Sequence, residues 1–250
     1  MATPAEEPEA PFWEHVSELR ARILVSGASV VVASIVALVF HRHIFGVLML
    51  PLLRVPGAVD KLLTLGPAEP VLTILRVSVY AGLIGAFPII SWQLWAFVAP
   101  ALYEREKRVV VPYVLFLWVL LLGGVAFGYF VMLPVGLAFL LSYGGDLFTQ
   151  QLRAAEYVSF VSSFLLGLGL VFQIPAVFLL LSALSIVSSR MLRRVRRYAV
   201  LAVAVVAMVI TPTQDPVTML VLMGPLLLLY ELGILLVRVV EGRRARRAKE

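Results

Sequence analysis

Six long apolar stretches alternate with short polar connections along this chain. They are Ile23–Phe40, Val77–Val98, Val109–Leu133, Tyr157–Leu184, Tyr198–Thr213 and Val217–Val237. A bilayer core of roughly 30 Å requires about 20 apolar residues in a helix, so each of the first four stretches is long enough to span it. The pattern predicts an all-α membrane protein with six transmembrane helices in one domain, residues 1–250.

The last two stretches are shorter than the others. The apolar run from Ala199 to Thr213 has 15 residues, and only the 14 residues from Val217 to Tyr230 precede the charge of Glu231. We expect two short spans, beside which the bilayer is thin or longer neighbouring helices lie. A re-entrant hairpin that does not cross the bilayer is the alternative.

Positive charge is distributed unequally over the connections, which predicts the orientation. Of the 21 Lys and Arg residues, sixteen lie on one side of the predicted spans. They are Arg20, Arg22, Arg105, Lys107, Arg108, Arg190, Arg193, Arg194, Arg196, Arg197, Arg238, Arg243, Arg244, Arg246, Arg247 and Lys249. The other side holds Arg42, Arg54, Lys61, Arg76 and Arg153. The positive-inside rule therefore predicts that both termini are cytoplasmic.

Composition agrees with a membrane protein. The chain is 61% hydrophobic with a mean hydropathy of +0.98, above the roughly 45–50% apolar content of soluble domains. The net charge of +6 fits orientation and anionic lipid better than nucleic acid. No removable signal peptide or transit peptide is evident, which favours the plasma (inner) membrane of a prokaryote, with several passes.

The predicted outer connections differ in length. The first, residues 41–76, contains short apolar pieces such as Ile44–Leu53, separated by Pro and Gly. Pro51 is one of these prolines. We expect the pieces to form interfacial helices that cap the outer face. In the second connection, the apolar run Val135–Leu141 is expected to continue the third span beyond Pro134 as a bent extension.

Carboxylates collect on the predicted cytoplasmic side, against the positive trend. Five precede the first span: Glu6, Glu7, Glu9, Glu14 and Glu18. From Pro11 onward the segment has the spacing of an amphipathic helix at the membrane surface. Glu104 and Glu106 follow the second span, and carboxylates grouped in this way suit a cationic ligand. The structural alternative is a helix start with an ion pair between Glu18 and Arg22.

Five motifs stand out along the chain: Phe12–Arg22 (F-W-E-H-V-S-E-L-R-A-R), Trp95–Tyr103 with Glu106-Lys107-Arg108, Phe172–Pro175, Thr211-Pro212 with Asp215-Pro216, and Pro225 with Tyr230–Gly233. Together they resemble the motifs of the TatC family, the multispanning receptor subunit of the twin-arginine translocase. They follow the family's order from residue 12 to about residue 240. The resemblance implies the six-span layout, with a concave face.

The resemblance also implies a function. Members of the family bind twin-arginine signal peptides of folded cargo through two carboxylates, which correspond here to Glu18 and Glu106. Glu104 is a weaker candidate, and we expect Arg20 to orient Glu18 or to bind lipid phosphate. The resemblance further implies partners of the TatA and TatB type, a homo-oligomer within the complex, and transport driven by the proton-motive force.

Gln173 is the strongly polar residue predicted near the middle of a span. The family usually has Glu at this position, which faces a partner helix. Gln keeps a donor and an acceptor, although the alternative is a hydrogen bond to a neighbouring helix of the same subunit. Asp215 and Glu231 are predicted to be structural, Asp215 as a cap of the last span and Glu231 as a partner of Arg238 or of the basic connection.

Other functional classes fit the sequence less well. An ion-coupled secondary transporter, the main alternative, predicts internal repeats and charged residues at the bilayer midplane, and the sequence shows neither. The chain has no Cys and no His-Glu-x-x-His or Gly-x-Ser-x-Gly motif, so we expect no enzyme activity, no cofactor and no metal site.

Overall fold

A computed structural model describes residues 10–55, 61–98, 110–142, 151–211 and 216–247 of the chain. The ten α-helices in these ranges are α1 (Ala10–Val39), α2 (His41–Leu53), α3 (Glu69–Val98), α4 (Val110–Phe127), α5 (Leu133–Ser142), α6 (Ala154–Val171), α7 (Ile174–Ala183), α8 (Ser189–Arg194), α9 (Arg196–Ile210) and α10 (Pro216–Arg247). A π-helical segment, Gly128–Met132, joins α4 to α5. The β-structure of these ranges consists of one isolated bridge between Leu63 and Arg153, so the predicted all-α class is confirmed.

Five segments of the described chain are long and apolar enough to cross a membrane. They are Val16–Val39, Glu69–Phe97, Val111–Ser142, Ala154–Ala183 and Pro216–Gly242. The predicted fifth span corresponds to α9, a helix of 15 residues, which has the predicted short length. Helix α1 runs without interruption from Ala10 to Val39, so no helix begins at Ile23, where the first span was predicted to begin.

The prediction that the last span is short was wrong. Helix α10 has 32 residues, of which 27 form an apolar segment. The helix continues past Glu231, where the apolar run was expected to end. Arg196 donates to the Glu231 carboxylate over 2.7 Å, and both side chains are half-exposed. A helix can continue past a charged residue that is paired and reaches solvent at the rim of the bundle. The apolar run alone therefore underestimated the length of α10.

The third span continues beyond Pro134 as predicted, and the π-helical segment explains how. A proline in a helix lacks the N–H for the carbonyl four residues earlier and its ring crowds that carbonyl. The wider turns of Gly128–Met132 end just before Pro134, so the helix changes its hydrogen-bonding pattern there instead of ending. The apolar segment consequently extends to Ser142.

The predicted fourth span is interrupted at its centre. Helix α6 ends at Val171 and α7 begins at Ile174, with Phe172 and Gln173 in a turn between them. The N–H of Gln173 bonds the carbonyl of Leu170 over 3.0 Å, a tighter pattern than that of an α-helix. Pro175 causes the break, because it cannot donate to the preceding turn.

Helix α6 lies at the centre of the bundle. It packs against α3, α4 and α9, and its Leu165 and Leu168 share one hydrophobic cluster with Leu222 and Leu226 of α10. Helix α1 lies at the periphery and packs mainly on α3. This arrangement places the two predicted sites, on α1 and after α6, in different surroundings.

Candidate functional site

Glu18 lies on α1 and is held against α3 through a neighbouring arginine. Its carboxylate forms an ion pair with Arg22, one turn further along α1. Arg22 in turn donates to the backbone carbonyl of Gln93 on α3 over 3.2 Å. The side chain of Arg22 is 19% exposed and that of Glu18 39% exposed, so the arginine is the more buried partner and the carboxylate faces outward.

The ion pair of Glu18 and Arg22 is the structural alternative considered from the sequence, and it is present. It does not use Arg20, which is exposed on the same helix. An i,i+4 pair between exposed side chains is worth about 0.3–0.5 kcal/mol, and Arg22, at 19% exposure, is more buried than in that case. The carboxylate of Glu18 itself is 39% exposed, which is compatible with a binding role.

Three of the predicted site residues, Glu104, Glu106 and Asp215, lie outside the described residues. The helices that precede and follow the connection carrying Glu104 and Glu106 are in contact. The rings of Trp95 on α3 and Tyr113 on α4 have centroids 4.7 Å apart. Trp95 is buried, and Gln93, which accepts from Arg22, lies two residues before it on α3. The ends of this connection are therefore held on the same side of the bundle as Glu18.

Gln173 lies in the turn between α6 and α7, and its amide is buried, with 8% of the residue exposed. Its Nε2 donates to the carbonyl of Leu117 on α4 over 3.1 Å and to that of Gly169 over 3.3 Å. Its Oε1 has no hydrogen-bond partner among the described residues. The donors of Gln173 thus join two helices of the same subunit, whereas its acceptor is left unused.

Close packing of α4 on α6 makes this contact possible. A Cβ at Gly124 would lie 2.8 Å from the carbonyl oxygen of Leu168 and 2.9 Å from the Cα of Gly169. A Cβ at Gly169 would lie 3.1 Å from the Leu121 side chain. Small residues let the two backbones approach closely, which brings the Leu117 carbonyl within reach of Gln173.

Pro51 lies inside α2 and is buried. Because proline has no N–H, the carbonyl of Val47 four residues earlier lacks its helical donor. The hydroxyl of Tyr129, in the π-helical segment, donates to this carbonyl over 2.6 Å. The hydroxyl of Tyr157 on α6 donates to the next carbonyl, that of Leu48, over 2.7 Å. These two tyrosine hydrogen bonds attach α2 to the bundle in the turn before Pro51.

Two carboxylate clusters were missed in the sequence. Glu69, at the start of α3, is buried and accepts hydrogen bonds from the Leu65 N–H (2.9 Å), the Arg153 Nε (3.0 Å) and the Ala155 N–H (3.3 Å). The hydrogen bond and charge of Glu69 raise the pKa of the Arg153 guanidinium. In the sequence, this carboxylate could be noticed only because it begins a helix after the turn residues Gly66 and Pro67.

The second missed cluster holds the short helix α8 against the end of α10. Glu241 accepts from the N–H of Ser189 over 3.0 Å and from its hydroxyl over 2.5 Å. The hydroxyl of Tyr230 donates to the carbonyl of Leu192 over 2.7 Å. In the sequence, Glu241 is one of two acids in a basic tail, the other being Glu250. Together with the Glu231–Arg196 pair, these contacts fix the basic connection before α9.

The chain is similar to known proteins over nearly its whole length. The family described as Sec-independent protein translocase protein (TatC) matches residues 14–225. A protein of that name from Desulforapulum autotrophicum is 37% identical over 94% of this chain and 86% of its own length. The one from Aquifex aeolicus is 35% identical over 96% and 98%.

Two solved structures agree with the sequence comparison. The crystal structure described as the twin arginine translocase receptor TatC superposes with a TM-score of 0.79 at 34% identity, covering 90% of this chain and 98% of the other. The crystal structure of the receptor in the detergent DDM gives 0.80 at 35% identity, covering 89% and 99%. The chain therefore belongs to the TatC family, whose members are non-enzymatic, multi-pass subunits of the Sec-independent protein translocase in the inner membrane.

Proposed function

We propose that this chain is the signal-peptide receptor of a twin-arginine translocase, and that Glu18 and Glu106 bind the two arginines of the signal. The observation that carries the proposal is the outward-facing carboxylate of Glu18, which Arg22 holds against α3. Family membership supports it, because related structures are described as twin-arginine translocase receptors. Glu104 is a weaker second candidate near Glu106.

The proposed topology has six spans with both termini in the cytoplasm. The charge distribution supports this orientation. Helix α9, with 15 residues, is the fifth span. It begins after the basic connection that Glu241 and Glu231 hold to α10. Helix α2 and the Leu63–Arg153 bridge form the cap of the outer face.

The chemistry of the site favours arginine over lysine. A guanidinium presents a planar fork of donors that matches a carboxylate, whereas an ammonium is a compact point donor. Each charged hydrogen bond contributes about 1.5–3 kcal/mol. An incoming arginine replaces Arg22 at Glu18, so the net gain is smaller than a free carboxylate would give. We expect roughly tenfold weaker binding when lysines replace both arginines.

Binding of a labelled twin-arginine signal peptide to the purified full chain tests the proposal. The assay compares this peptide with a twin-lysine peptide, using the unaltered chain, Glu18→Gln and Glu106→Gln. We expect each substitution to weaken arginine binding about tenfold and to reduce the preference over lysine. Glu231→Gln is the control, because that carboxylate pairs with Arg196 outside the proposed site.

Two results would contradict the proposal. In the first, the twin-lysine peptide binds as tightly as the twin-arginine peptide to the unaltered chain. In the second, Glu231→Gln weakens binding as much as Glu18→Gln, which would show a dependence on net charge alone. Thermal unfolding of each variant checks that the fold is intact.

A second part of the proposal concerns the partners. We propose that Gln173 is where a single-span helix of the TatA or TatB type docks, within a complex that contains further copies of this chain and uses the proton-motive force. The unused Oε1 acceptor of Gln173 supports this, because an unpaired acceptor in hydrocarbon gains from any donor that reaches it. With 8% exposure, the amide becomes accessible only when neighbouring side chains move.

Co-purification of TatA-type and TatB-type proteins with Gln173→Leu tests the docking site. We expect the partner yield to fall while signal-peptide binding is retained. Thr211→Val is the matched control, because the Thr211 hydroxyl is buried and its hydrogen bonds with the described residues go to α9, the helix that it ends. Unchanged partner yield with Gln173→Leu would assign the amide to the contact between α4 and α6 alone.

A further inference from the structure

Two adjoining cavities lie where α3 and α6 begin, whereas Gln173 lies beyond the other end of α6. The larger has a volume of about 460 Å³ and the smaller about 350 Å³. Both are lined by Arg76, Arg153 and Ala155. They lie at the ends of segments that are long enough to cross the bilayer, where lipid headgroups are found.

Some charged groups in these cavities are paired with other described residues, and others are not. Glu69 and Arg153 are bonded to each other over 3.0 Å. Arg76 is exposed and has no hydrogen bond or ion pair with the described residues. Glu156 is 75% exposed on its side chain, and its only ion pair among these residues, with Arg153, is long at 3.6 Å. One cation and one anion that line the larger cavity are therefore available to a ligand.

A buried hydroxyl adds an independent sign of a ligand. Thr73 lines the smaller cavity and is 2% exposed, yet its Oγ1 has no hydrogen-bond partner among the described residues. Leaving a buried hydroxyl unpaired is unfavourable, so a ligand that accepts from it gains a hydrogen bond. Thr73 lies on α3 three residues before Arg76, so the two side chains are on one face of that helix.

The sum of charges indicates the class of ligand. Arg76 and Arg153 are balanced by Glu69 and Glu156, so an anion finds no excess positive charge. A ligand with both a phosphate and an ammonium group matches both signs. We propose that the cavities bind a phospholipid headgroup with a primary ammonium, as in phosphatidylethanolamine. The phosphodiester accepts from Arg76 and Thr73, and the ammonium donates to Glu156.

Related headgroups lack one of these interactions. The choline headgroup has a cation without N–H donors, so it cannot hydrogen-bond Glu156. The glycerol headgroup has no cation, so its lipid brings an uncompensated negative charge. Phe160 lines the larger cavity beside the polar groups and offers an apolar surface to the glycerol backbone. Selectivity therefore depends on Glu156, whereas affinity for any phospholipid depends on Arg76.

Lipid binding to the full chain in detergent, measured by native mass spectrometry, tests this proposal. The probes are phosphatidylethanolamine, phosphatidylcholine and phosphatidylglycerol with identical acyl chains. We expect the first to bind about tenfold more tightly than the other two. Arg76→Gln and Thr73→Val should weaken its binding. Glu156→Gln should abolish its advantage over phosphatidylcholine, whose own binding should fall less because choline loses only charge attraction.

The controls separate the site from general attraction to charge. Arg54→Gln removes an exposed arginine that lines neither cavity and should leave lipid binding unchanged. Arg76→Lys keeps the charge and should retain part of the affinity. Equal binding of the three lipids, or equal losses with Arg76→Gln and Arg54→Gln, would overturn the proposal. Soluble glycerophosphoethanolamine binding as tightly as the lipid would identify a free phosphodiester instead and would also overturn it.

Discussion

Helix α1 carries Glu18, and 6% of its apolar stretch is buried inside the protein, whereas 39% is buried in the apolar stretch of α6 and α7, the two helices that flank Gln173. The peripheral helix touches the rest mainly through α3. The central helix touches α3, α4 and α9 and shares a cluster with α10. A site on α1 can therefore change with little effect on the fold, whereas a site beside α6 is coupled to the packing of the whole bundle.

The largest expected difference in unfolding free energy is between a Gly→Ala substitution in α4, where it packs on α6, and the same substitution in α1. Gly124→Ala introduces a Cβ 2.8 Å from the Leu168 carbonyl, which forces α4 and α6 apart and should cost about 1–3 kcal/mol of unfolding free energy. Gly27→Ala on α1 meets nothing within 4 Å and should be neutral or stabilising by up to about 1 kcal/mol. Unfolding in detergent, followed by circular dichroism, measures both. Equal changes would contradict the difference between the two helices.

A second glycine sharpens the comparison by affecting binding more than stability. A Cβ at Gly82 would lie 2.7 Å from backbone atoms of Ser34, so Gly82→Ala should move α1 relative to α3. The Arg22–Gln93 contact that positions Glu18 would be disturbed. We expect a several-fold loss of signal-peptide binding and a smaller loss of stability than with Gly124→Ala. If binding is unchanged, the position of α1 on α3 does not matter for the site.

A tyrosine pair tests the attachment of α2. Tyr129→Phe removes the donor to the Val47 carbonyl that Pro51 leaves unpaired, and should cost about 1 kcal/mol. Tyr198→Phe is the control, because that hydroxyl is bonded only to the exposed Arg197 within the described residues. We expect its effect to stay within about 0.5 kcal/mol. A similar loss in both variants would mean that Val47 finds another donor.

The smallest effect is expected at Ser185, after α7. This residue has a φ of 60°, a left-handed conformation that costs a non-glycine residue about 1–2 kcal/mol. Because glycine also loses more backbone entropy on folding, Ser185→Gly should stabilise the bundle by less than about 1 kcal/mol. Ser185→Ala keeps the strain and should give no gain. The two melting temperatures, measured together, decide the point.

The hydrophobic pattern predicted most helical segments, because burial in lipid depends on each segment by itself. Gln173 could be found in the same way, as a polar residue within an apolar run. Glu69 could not, since its partner Arg153 is 84 residues away and the contact exists only when α3 lies beside α6. The length of α10 was missed for a similar reason, because Arg196 pairs with Glu231 from another helix. Individual helices follow from local sequence, whereas charge pairs between them require the packing.

The central position of α6 also has a consequence for biosynthesis. Helices α1 and α3 are made first and can pair as soon as both are inserted, since Ser34 and Gly82 already bring them together. Helix α6 meets α3 and α4 when it is inserted, but Leu222 and Leu226 belong to α10, which leaves the ribosome after all of these helices. Until that helix arrives, part of the α6 surface faces lipid. The core beside Gln173 is therefore completed later than the contact between α1 and α3.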